Sequence, residues 1–194
     1  MSGLRIAVLV SGSGSNLQSI IDAVANHTLT SQIVSVISNK EGAFGLERAR
    51  QSNIPAYFIN PKEAGYDEKL LARLQADDVE LVVLAGYLKI VQANLIQAYK
   101  GKIINIHPSL LPKFGGKGYY GIKVHEAVIA MGEKESGATV HFVDEGVDTG
   151  ETLLQRSVPV YETDTPDDLQ QRVLHEVEHK ILVEAIKKLE EESA

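Results

Sequence analysis

A chain of 194 residues, 44% apolar and 23% charged, is long enough to enclose one hydrophobic core and lies outside the compositions of disordered or fibrous chains. Its net charge of −7 and pI near 5.4 argue against nucleic acid as a partner, since phosphate-backbone contacts need a basic surface. The lack of cysteine excludes disulfides, thiolate metal sites and a cysteine nucleophile together.

Taken in order, the N-terminus carries Arg5 and then a short apolar run, Ile6–Val10, with no small-residue cleavage pattern behind it. A signal peptide is not expected. No stretch approaches the roughly 20 apolar residues of a membrane span, so a cytoplasmic protein with no membrane partner is expected. Short apolar runs at Leu4–Val10, Gln32–Ser38, Ala56–Ile59, Leu81–Leu84 and Lys102–Ile106 read as buried strands. Helical stretches at Asn16–Ala25, Phe44–Gln51, Tyr66–Gln75 and Gln92–Tyr99 separate them. Continuously apolar strands alternating with helices predict a doubly wound, mostly parallel α/β sheet covered on both faces. From about residue 136 the pattern changes: Ala138, Val140 and Phe142 alternate with Thr139, His141 and Val143, and Thr152–Val160 follows as a second strand. The turn-rich segment Asp144–Gly150 between them predicts added antiparallel strands. A long last helix should start at Thr165-Pro166, with threonine as cap and proline at its first position, and run to about Glu190. With no repeat or linker, residues 1–194 read as a single domain.

In open parallel sheets, ligands bind at the carboxyl ends of the strands. Three unusual loops leave strands at that edge: Ser11–Asn16, Gly86–Lys89 and Asn105–Pro108. The first, Ser11-Gly12-Ser13-Gly14-Ser15-Asn16, lets backbone N–H groups approach a phosphate at a helix N-terminus; its bland alternative is a tight turn and cap. Leu17 stands where a dinucleotide fingerprint wants a third glycine, and Asn39 where it wants an acid, so a mononucleotide or sugar phosphate fits better than NAD. In the third loop, residues two apart on extended chain face the same way, so Asn105 and His107 point together. An amide and an imidazole side by side can stabilise an oxyanion and shuttle a proton; the bland alternative is a histidine held by core hydrogen bonds. Asp144, Glu145 or Asp148 could orient the imidazole, and local spacing does not choose among them.

His175-Glu176-Val177-Glu178-His179 matches the His-Glu-x-x-His pattern of zinc hydrolases. On an α-helix, however, Leu174, Ile181, Leu182, Ala185 and Leu189 cluster around Glu178, while Glu176, the supposed base, points away from the core. No metal is therefore expected. An inward carboxylate is costly without a partner, which marks Glu178 as a ligand group or half of a buried ion pair.

Four stretches together resemble the folate-dependent phosphoribosylglycinamide formyltransferase family: Val10–Gln18, Leu84–Ile90, Asn105–Pro112 and Gly137–Gly150. The resemblance spans nearly the whole chain and implies a Rossmann-like formyltransferase fold. It divides the domain into a nucleotide-binding half, 1–100, and a catalytic and folate-binding half, 101–194. It also implies formyl transfer from 10-formyltetrahydrofolate, as co-substrate, to glycinamide ribonucleotide in purine biosynthesis. Small molecules are then the only partners, with the chain a monomer or homodimer. By position, Asn105, His107 and Asp148 match the catalytic trio, and Gly14, Ser15, Asn16 and Glu178 match the ribonucleotide site. Leu88, Lys89, Ile90 and Val91, with Asn105, match the folate site. Lys62 stands where relatives often carry a folate-contacting arginine, beside an apparent insertion at Gly65. Gly115–Gly121 departs from the Pro-Gly that many relatives have after Phe114, and Lys89 replaces a common arginine. Two enzyme alternatives share much of this site: a formyltetrahydrofolate hydrolase, which usually carries a further N-terminal domain, and a methionyl-tRNA formyltransferase, which carries a further C-terminal domain. A non-catalytic folate or nucleotide sensor is a reading of a different class.

Overall fold

The computed structural model describes residues 3–193. Its strands are β1 (Arg5–Val10), β2 (Gln32–Ser38), β3 (Ala56–Phe58), β4 (Leu81–Leu84), β5 (Ile103–His107), β6 (Glu135–Phe142) and β7 (Thr152–Pro159). They form one sheet in the order β3-β2-β1-β4-β5-β6-β7. Pairing is parallel from β3 through β5 and antiparallel for β6 and β7, as the change from continuous to alternating hydrophobicity predicts.

The helices are α1 (Ser15–Ala25), α2 (Phe44–Gln51), α3 (Tyr66–Ala76), α4 (Ala93–Ala98), α5 (Ile122–Ala130), α6 (Pro166–Arg172) and α7 (His179–Ser193). Strand alternation sends side chains to two cores. Ile6, Val8 and Val10 of β1 and Val83 of β4 pack with Leu17 and Ile20 of α1 and Ile181 and Leu182 of α7. Ala7, Leu9, Val82 and Leu84 pack on the opposite face with Leu70 and Leu74 of α3 and Leu95 of α4. Every one of these strand residues is buried, and truncating such a side chain to alanine costs about 2–5 kcal/mol.

Two features went beyond what the periodicity revealed. Helix α5 was not anticipated: its Ile122, Val124, Val128 and Ile129 are β-branched and blur the helical signal. The long last helix is not uniform. Val173–Glu178 winds as a π-helix between α6 and α7, so the strict 100° reading fails there. At its start, Thr165 caps α6 and shares a reciprocal capping box with Asp168, with Pro166 in the first turn. Among the described residues, no helix is long and apolar enough to cross a membrane.

Candidate active site

Strand order reverses direction between β1 and β4, and at such a switch point the outgoing loops diverge and leave a crevice. A cleft of about 880 Å³ opens there, lined by Gly12–Asn16 after β1, Gly86–Val91 after β4, and Asn105–Pro108 of β5 and its loop. Ser11 fastens its loop to two neighbours, those after β4 and β2. Its N–H donates to the Gly86 carbonyl, its hydroxyl donates to Asn39 Oδ1 at 2.6 Å, and Ser11 Oγ accepts the Leu88 N–H at 2.9 Å. Gly14 begins α1 at φ 72°, with no side-chain cap. The first N–H groups of α1 therefore face the cleft as a potential anion cradle.

Asn105 and His107 do share a side of β5, and the antiparallel partner β6 sets His141 opposite Asn105. The β6–β7 connection brings in Asp148. Its Oδ2 lies 3.6 Å from His107 Nδ1 and its Oδ1 lies 3.6 Å from His141 Nε2. One carboxylate thus sits between two imidazoles. Asp148 also accepts the Gly116 N–H at 3.0 Å and holds a left-handed φ of 57°, a conformation that aspartate tolerates better than most residues. The three acids left open by spacing now separate. Asp144 ties the turn by accepting from the Gly146 N–H and the Thr149 hydroxyl, Glu145 is exposed, and only Asp148 reaches the histidine.

The hydrogen bonds assign tautomers. His141 Nδ1–H donates to the Phe142 carbonyl at 2.8 Å, and its Nε2 sits between the Asn105 amide at 3.1 Å and Asp148 Oδ1 at 3.6 Å. His107 Nε2–H donates to the Phe114 carbonyl at 2.8 Å, leaving Nδ1 toward Asp148. Burial depresses the His107 pKa below that of an ordinary histidine, against the upward pull of Asp148 and of the Phe114 carbonyl. Desolvation outweighs the neighbouring carboxylate, so the resting ring is neutral at neutral pH. Burial raises the Asp148 carboxyl, but His141, His107 and the Gly116 N–H together hold it below the ordinary range.

Glu178 is buried and its Oε2 accepts from Asn16 Nδ2 at 2.8 Å. Burial without a cation pushes its carboxyl up to about 7, although the Asn16 bond lowers it. The inward direction read from the sequence is therefore right, and the π-helix delivers it. The extra residue in that turn places both Val177 and Glu178 inside. The flanking histidines serve elsewhere: His175 is exposed and pairs with Gln171, and its ring meets His179 edge-on at 5.1 Å.

Leu88, Lys89, Ile90 and Val91 form another wall of the cleft. Leu88 and Ile90 are 51% and 58% exposed, and Lys89 Nζ rests over the Tyr66 ring. Lys62 is not among the lining residues; it is exposed, with its N–H on Asn60 Oδ1. Residues from both parts of the chain line one cleft: Asn16 meets Glu178, and Leu88–Val91 share the lining with His107. His141 and His125 were missed as site residues. Cross-strand register to Asn105 was the signal for His141, and it needed the β5–β6 pairing that sequence alone does not supply.

A formyl transferase family model matches residues 4–186. The phosphoribosylglycinamide formyltransferase of Haemophilus influenzae is 43% identical over 187 residues, 94% of this chain and 85% of that protein. The chloroplastic phosphoribosylglycinamide formyltransferase of Vigna unguiculata is 47% identical over 193 residues, 97% of this chain and 61% of that protein. The chain spans about three-fifths of the length of the plant relatives it matches. Among solved structures, glycinamide ribonucleotide transformylase 1 from Symbiobacterium toebii aligns with a TM-score of 0.91 at 43% identity, covering 98% of this chain and 89% of that one.

Proposed function

The chain belongs to the formyl transferase family, and from that premise we propose that it transfers a formyl group from 10-formyltetrahydrofolate to the amine of 5-phosphoribosylglycinamide. The products are formylglycinamide ribonucleotide and tetrahydrofolate. The observation that carries this reading is the Asn105–His107–Asp148 constellation in a cleft with two unlike walls. The wall formed by the α1 N-terminus suits an anion. A second wall, with exposed Leu88 and Ile90, suits an aromatic ring such as a pterin, and backbone groups of Leu88–Val91 would hydrogen-bond its edge. On this reading Gly14, Ser15, Asn16 and Glu178 bind the ribonucleotide, and no protein nucleophile or metal is required.

As the amine attacks the formyl carbon, the carbonyl oxygen gains negative charge and the Asn105 amide donates to it. Removing such a donor typically costs about 3–4 kcal/mol. Neutral His107 takes a proton from the newly bonded nitrogen, directly or through one water, and becomes an imidazolium stabilised by ionised Asp148. It then returns the proton to the departing folate nitrogen as the carbon–nitrogen bond breaks. Both transfers use Nδ1, the unprotonated nitrogen beside Asp148, while Nε2–H keeps its bond to the Phe114 carbonyl.

The test is a tetrahydrofolate-release assay followed by absorbance, with glycinamide ribonucleotide present and absent and repeated with chelator. Release only with the nucleotide is the expected result. Release without it would make the protein a hydrolase, binding of both ligands without release would make it a sensor, and loss of activity with chelator would restore a metal to the mechanism.

A further inference from the structure

His125 lies on the second turn of α5 and lines the cleft. It is 1% exposed, and neither Nδ1 nor Nε2 has a hydrogen-bond partner. A buried imidazole with two idle nitrogens forfeits the hydration of both polar groups without recovering it, so its retention needs a partner that arrives with the ligand. We infer that His125 binds the phosphoribosyl acceptor, hydrogen-bonding an uncharged polar group, its amide or a ribose hydroxyl, near the reacting amine. The inference rests on the function proposed above.

Three observations select that occupant. Burial, reinforced by the nearby His107, depresses the His125 pKa to about 4. At neutral pH the ring is uncharged and offers one donor and one acceptor, which suits an amide or hydroxyl and not a phosphate. His107 contributes to that depression, and both rings line the same cleft. Finally, α5 packs against α6, and the adjoining Gln170, Gln171, Leu174 and Glu178 continue the lining. His125 therefore belongs to the Asn16–Glu178 wall, not to the Leu88–Val91 wall.

The experiment compares His125→Phe and His125→Gln with wild type by thermal unfolding, by calorimetric titration with glycinamide ribonucleotide, and by KM for each substrate. Phe should keep or raise Tm, because a buried polar ring with idle nitrogens is replaced by an apolar one. It should also weaken nucleotide binding and raise the nucleotide KM about tenfold, with the folate KM unchanged. Gln, which restores a donor and an acceptor, should recover part of the loss. Competition by ribose 5-phosphate separates the two groups: equal weakening in His125→Phe identifies a hydroxyl, unchanged competition identifies the amide. Wild-type nucleotide affinity in His125→Phe, or a fall confined to Tm, overturns the inference while wild-type turnover leaves the proposed function standing. A wild-type protein that neither binds nor formylates the ribonucleotide overturns both.

Discussion

At the scale of single residues, the chemistry turns on which force sets the His107 charge. Desolvation lowers its pKa, and Asp148 at 3.6 Å partly restores it. If turnover needs the neutral ring, kcat at saturating substrates is lost as pH falls through a value below the ordinary histidine range. Replacing Asp148 with Asn removes the charge that raises the pKa, so the acid limb should move to still lower pH. Turnover should fall about a hundredfold, because the imidazolium formed in the reaction loses its counter-charge. A pH–rate profile of D148N measures both effects, and a limb displaced toward higher pH would contradict the assignment. The role of His141 is different. It touches the Asn105 amide and Asp148 and so orients both, which was not visible in a sequence where Asn105 and His141 are distant.

At the scale of elements, the glycine-rich loop is shaped by packing as much as by any ligand. A Cβ on Gly14 would lie 2.6 Å from the Gly45 Cα, and the residue holds φ 72°, so α2 and the loop after β1 meet backbone to backbone. Gly14→Ala should cost about 1–3 kcal/mol in urea-induced unfolding and should weaken nucleotide binding. A Cβ on Gly12 meets nothing within 4 Å, so Gly12→Ala should leave stability within about 0.5 kcal/mol of wild type. Equal losses at the two positions would sink this account. The π-helix teaches the complementary lesson. The helical wheel pointed Glu178 inward, yet the turn that carries it is wound differently, because the chain satisfies Val173, Val177 and Glu178 together.

At the scale of the whole molecule, buried ionisable groups pull stability in opposite directions. Glu178 has a folded pKa of about 7 against an ordinary glutamate value of 4.5. The folded state therefore holds a proton that the unfolded state has released, and stability falls as pH rises through that window. His125, at about 4 in the folded state, does the reverse. Its unfolded form takes up a proton near 6.5, so stability falls as pH drops from there toward 4. Glu178→Gln should thus raise stability at pH 8 by on the order of 3 kcal/mol, with the gain vanishing below pH 4.5. It should also steepen the acid decline that Glu178 otherwise offsets. Chemical denaturation across pH 4–8 tests this; a variant less stable than wild type at pH 8 would refute it. The same variant should bind the ribonucleotide less well, if Glu178 contacts it.

The order of strands and helices, the switch to antiparallel pairing, and the pairing of Asn105 with His107 on one side of β5 were legible in the chain. They follow from periodicities of two and 3.6 residues, which are local. The tertiary structure decided the rest. It chose Asp148 over Asp144 and Glu145, set His141 across from Asn105, turned His125 into the cleft and left Lys62 out of its lining. Those facts depend on which distant segments meet and on how far water is excluded where they do. Charge and burial at a site are properties of the enclosure, and no stretch of sequence carries them alone.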